Sequence, residues 1–120
     1  MRDKVVVVVG ATGGIGSALT RKLALEGTHL VLAARDSSRL ATLVSQLPIT
    51  SEKQVLSVPT DITDPSQVET LMSKAVAQFG QIDVLVNAAG AGLMKQYNKV
   101  EPSDLAVSYT HLTLPTIYSV

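Results

Sequence analysis

Apolar residues follow two rhythms along this chain. Val5 to Val9 is an unbroken β-branched run, and shorter apolar runs recur at Leu30 to Ala34, Val55 to Val58 and Val84 to Val86. Continuous runs of this kind predict strands buried on both faces, as in a parallel sheet. Between them the spacing becomes helical. Ile15, Leu19 and Leu23, with Ala18 beside them, make a stripe that closes near Gly27. Leu40, Leu43, Val44 and Leu47 make a second, ended by Pro48, which cannot continue a helix. Val68, Leu71, Met72, Ala75, Val76 and Phe79 make the third. Asp64 is placed to cap that helix, Pro65 fits its first turn, Gln67 completes a capping-box-like pair, and Gly80 supplies the stop. The alternation of strands and helices predicts an α/β, doubly wound parallel sheet of Rossmann type, truncated to about four strands with flanking helices.

Composition narrows the class. With 120 residues the chain falls short of the roughly 150 of a typical domain, so one domain at most is expected. Ten Lys and Arg balance ten Asp and Glu, and no basic stripe alternates with aromatics, so neither nucleic acid nor an anionic membrane is an expected partner. The absence of cysteine excludes disulfides and thiolate metal sites. His29 and His111 lie far apart without metal-ligand spacing, and no metal is expected. The start MRDKVVVVVG imitates a signal peptide, but five apolar residues precede Gly10, short of the ~7–15 of an h-region. No stretch approaches the ~18 apolar residues of a membrane span. A cytoplasmic protein is the expectation.

The chemistry concentrates at the end of the first strand. Gly10, Gly13, Gly14 and Gly16 lie between strand and helix. Backbone without Cβ atoms can turn sharply there and let a pyrophosphate approach the N–H groups of the helix start. The alternative is a merely tight βα turn. The position of the glycines after a strand, before a helix and within a βαβ unit favours dinucleotide binding. Gly10, Gly14 and Gly16 fit GxxxGxG, while Gly10, Gly13 and Gly16 fit GxxGxxG.

A second motif separates the two. LVNAAG, residues 85–90, ends the fourth strand, and PTDITD places Asp61 after the third. With GxxxGxG these motifs resemble the short-chain dehydrogenase/reductase family, over residues 1 to about 107. The resemblance implies that Gly10, Thr12, Gly14, Ile15 and Gly16, with Gly13 in the same turn, surround the cofactor's phosphates and ribose. It implies that Asp61 accepts from the adenine amino group with Ile62 alongside, and that Asn87, Ala88 and Gly90 line the adenosine ribose. Two blander roles stand beside these: Asp61 as a loop cap, and Asn87 as a strand-end hydrogen-bonding residue.

The second strand ends VLAARDSSRL. An NAD-binding unit carries an acidic residue about 20 positions beyond the glycines; by resemblance Ala34 fills that place and Arg35 follows. A guanidinium there can bind a 2′-phosphate through several donors, whereas a carboxylate would repel it. NADP(H) is therefore favoured over NAD(H). Against this, Arg35 could be a solvated helix-start residue, Asp36 could swing in and select NAD, and Gly13 stands where some NADP-preferring relatives carry a basic residue.

Family resemblance also implies hydride transfer between NADP(H) and a carbonyl or alcohol substrate, with a Tyr-x-x-x-Lys pair handling the proton. Glu101 lies four residues after Tyr97, Thr113 lies four after Tyr109, and Tyr118 has two residues after it. None makes the pair, and no catalytic residue is assigned. Residues 108–120, SYTHLTLPTIYSV, break the helical pattern begun at Pro102 to Leu105 and look like translated adapter sequence rather than family sequence; the alternative is a β-prone extension pairing with the fourth strand. Four strands alone would leave VLVN on an apolar, unpaired edge. Two functions remain: the dinucleotide-binding part of a short-chain oxidoreductase whose full-length form binds substrate and self-associates, the chain itself being inactive, or a non-catalytic dinucleotide-binding module.

Overall fold

The structure, a computed structural model, describes residues 2–49, 52–89 and 116–119. The chain runs β1 (Val5–Val9), α1 (Gly14–Leu25), β2 (His29–Ala34), α2 (Ser37–Ser45), β3 (Val55–Pro59), α3 (Pro65–Phe79), β4 (Val84–Asn87) and β5 (Thr116–Ser119). The strands form one parallel sheet in the order β3-β2-β1-β4-β5. β1 lies at its centre with all five valines buried, which is why a two-sided β-branched run was needed. Val6 and Val8 face α1 and α2 with Leu23, Leu40 and Leu43. Val7 and Val9 face α3 with Leu71, Met72 and Ala75.

Two expectations are corrected here. VLVN is not an unpaired edge: β5 lies parallel to it, with Leu85 opposite Ile117 and Asn87 opposite Ser119. The expected parallel strands β1 to β4 are present, and the last residues of the chain add a fifth at the edge, the pairing given above as the alternative for residues 108–120. Ile15 is not part of the buried stripe of α1. It is 61% exposed, and the buried face is instead Gly16, Thr20, Leu23 and Ala24. Gly16 sits against the preceding turn, so the helix presents its narrowest side inward and Ile15 turns outward.

The caps of α3 also differ in detail from the pattern in the sequence. Asp64 accepts from the Ser66 N–H at 3.0 Å and Gly80 closes the helix with φ 82°, both as expected. Gln67, however, reaches past Asp64. Its Oε1 accepts from the Asp61 N–H at 2.8 Å, while its Nε2 donates to Asp64 Oδ2 at 3.2 Å. The side chain thereby ties the start of α3 to the loop that leaves β3.

Candidate functional site

The carboxyl ends of β1, β2, β3 and β4 open on the same edge of the sheet, where ligands of open α/β sheets bind. The glycine turn, Arg35 and Asp61 follow the ends of β1, β2 and β3, and Asn87 is the last residue of β4. Gly10 has φ +77°, and a Cβ there would come within 2.8 Å of the Ala88 and Ala89 backbone. A Cβ at Gly16 would meet the Gly10 carbonyl oxygen. Both glycines are thus required by the fold itself, since side chains would block the approach of turn, helix and β4. Gly13 is less constrained, with the Gly10 oxygen 3.4 Å from a would-be Cβ. Gly14 meets nothing within 4 Å. The fold leaves open space in front of it.

The three helices start differently. Asp36 caps α2, accepting from the Ser38 and Arg39 N–H groups at 2.9 and 3.2 Å. Asp64 caps α3. At α1 the cap position is Gly13, with no side-chain hydrogen bond and no acidic residue in the first turn. The first N–H groups of a helix have no intrahelical partner and carry the positive end of its dipole. Those of α1 face the open space beside Gly14, flanked by half-buried Thr12 and exposed Ile15. Such a cradle suits an anion approaching backbone.

On the other side of β1, Arg35 is 68% exposed and its Nη2 lies 3.2 Å from Asp61 Oδ1. Asp61 also accepts from the Thr63 hydroxyl at 2.6 Å and the Thr63 N–H at 2.9 Å. These two bonds, hydroxyl first, together with the Arg35 charge hold its carboxyl below the usual 3.8. Ile62 is half buried and packs on the core beneath α3. Asn87 is buried, and its Oδ1 accepts from the Ala89 N–H at 3.1 Å; Ala88 N–H donates to the Val9 carbonyl at 2.9 Å. The bond from Asn87 shapes the chain just where it packs on Gly10. Asp36, considered above as a rival for NAD, is engaged in capping α2. Gly90, Tyr97 and Tyr109 lie outside the described residues.

Thr63 and Gln67 were missed as site residues by sequence reasoning. Both act on Asp61 through turn geometry that leaves no periodicity. The D-x-T spacing after a strand was the available signal, since an Asp often bonds the backbone two residues on.

The family model for short chain dehydrogenases matches residues 4–114, reaching into the 108–120 segment. An uncharacterized oxidoreductase of Staphylococcus saprophyticus is 41% identical over 90 residues, covering 75% of this chain and 38% of that relative. A short-chain dehydrogenase/reductase of unknown function from Caenorhabditis elegans, solved with cofactor, has a TM-score of 0.67 at 34% identity, covering 71% of this chain and 32% of that one. The C-domain of a bacterial malonyl-CoA reductase, solved with NADP, has a TM-score of 0.67 at 27% identity, covering 75% and 15%. The chain spans about two fifths of the length of the curated relative it matches.

Proposed function

The chain belongs to the short-chain dehydrogenase family, and we propose that it is the dinucleotide-binding part of an NADP(H)-dependent oxidoreductase. The observation that carries this reading is the start of α1, uncapped and facing space that the fold does not fill at Gly14. The N–H groups of Gly14, Ile15 and Gly16, with Thr12, would hold the phosphates; Gly10 and Gly13 shape the turn. Asp61 with Ile62 would receive the adenine, and Asn87, Ala88 and Gly90 the adenosine ribose. Arg35 would take the 2′-phosphate. Ala34 leaves no carboxylate at the end of β2 to receive the ribose hydroxyls, and the Asp36 carboxylate is turned to the Ser38 and Arg39 N–H groups. The relative solved with NADP supports the same preference.

When bound, the dinucleotide supplies hydride chemistry at a carbonyl or alcohol carbon. This chain's residues bind and orient it, and its three tyrosines form no Tyr-x-x-x-Lys pair. The 120-residue chain should therefore bind dinucleotide without turnover. Titration of NADPH and NADH against wild type and Arg35→Ala tests the preference. Wild type should bind NADPH more tightly, and the variant should lose most of the difference, about 1–3 kcal/mol for a charge-assisted bond. Equal wild-type affinities, or tighter NADH, would sink the assignment.

A further inference from the structure

Thr63 has no part in the roles given above, yet it makes two hydrogen bonds to one of the residues named in them. Its hydroxyl donates to Asp61 Oδ1 at 2.6 Å and its N–H to the same oxygen at 2.9 Å. Arg35 Nη2 donates to that oxygen too, at 3.2 Å. Gln67 holds the Asp61 N–H at 2.8 Å. Asp61 is therefore fixed at both backbone and side chain, and the fixed oxygen is the one that touches Arg35. A long, exposed arginine loses rotamer freedom when it captures an anion, and one already placed loses less. The Arg35–Asp61 contact is one-pronged, through Nη2 alone. A guanidinium carries five donors in a rigid fork, so Asp61 orients Arg35 without exhausting it; a competitor for the phosphate would grip it with two oxygens.

We propose that Thr63 is a positioning residue for dinucleotide preference: it fixes Asp61, and through Asp61 it holds Arg35 ready at the adjoining carboxyl ends of β2 and β3. The proposal rests on the NADP(H) reading of Arg35. A simpler role for Thr63, closing the turn before α3, would affect both dinucleotides alike.

Thr63→Val and Thr63→Ser in the 120-residue chain separate these roles, with NADPH and NADH titrated against each and the Asp61 carboxyl followed by NMR without nucleotide. Thr63→Val removes the hydroxyl and keeps the shape. Because Asp61 serves the adenine of both dinucleotides it should weaken both, but NADPH roughly three- to tenfold more than NADH. That is less than the full loss of a bond to a charged group, since Thr63 reaches the phosphate only through Asp61 and Arg35. Thr63→Ser should retain wild-type selectivity. In the nucleotide-free Val variant the Asp61 carboxyl should titrate at higher pH than in wild type. Equal weakening of both dinucleotides, a gain in NADPH preference, or an unmoved carboxyl midpoint would overturn the proposal. A selective wild type with an equally selective Thr63→Val would remove this inference alone. A wild type that binds neither dinucleotide would remove the NADP(H) reading and the proposal together.

Discussion

A methyl group added at Gly16 would meet the Gly10 carbonyl, whereas the same addition at Gly14 meets nothing within 4 Å. The two substitutions should therefore separate folding from binding. Gly16→Ala forces the start of α1 away from its turn and should lower stability by about 1–3 kcal/mol, the usual cost of overpacking. Gly14→Ala should leave stability within about 1 kcal/mol of wild type, since alanine is the better helix former. Urea unfolding checks both; an unchanged midpoint for Gly16→Ala would contradict the packing described. The glycine pattern itself was legible in the sequence. Which glycines the fold consumes was not, because that depends on how closely Ala88 and the helix start approach Gly10. Thr63 left only its D-x-T spacing as a signal for a similar reason: the Asp61 oxygen it bonds is shared with Arg35, a residue remote in the chain.

Capping separates α1 from the other two helices. Asp64 accepts from the Ser66 hydroxyl at 2.7 Å and the Ser66 N–H at 3.0 Å, and these bonds, hydroxyl first, hold its carboxyl below the usual 3.8. A carboxylate whose folded-state value is depressed stabilises fully above its unfolded value, and that contribution is lost as pH falls through the folded one. Asp64→Ala should therefore lower the urea midpoint at neutral pH, and the gap from wild type should close as pH drops below 3.8. A gap that persists into acid would show that the cap does not work through its charge. Helical spacing, Asp64, Pro65 and Gly80 made α3 the most legible element. Its capping box was misplaced because Gln67 finds the N–H of Asp61, on the preceding loop, as well as the Asp64 side chain.

At the scale of the whole molecule, alternating runs of apolar residues revealed the α/β class and β1 to β4. The pairing of β5 with β4 was in the sequence only as the alternative reading of residues 108–120, because Thr116–Ser119 is polar at both ends and has no apolar run to mark it as a buried strand. Trimming residues 108–120 would bare the apolar edge of β4, and an exposed edge is a template for association. The trimmed chain should scatter light at concentrations where the full chain does not, while its affinity for NADPH stays nearly the same. Loss of that affinity would show that the tail belongs to the site. The central claim, that the β1–α1 turn holds the phosphates of a dinucleotide, is tested most directly by amide chemical shifts during NADPH titration of wild type and Gly14→Val. In wild type the shifts should be saturable and centred on Gly14, Ile15 and Gly16, with Asp61 and Asn87 moving in step. In the variant they should vanish while its unfolding midpoint holds. A folded Gly14→Val that binds NADPH with wild-type affinity would contradict the account.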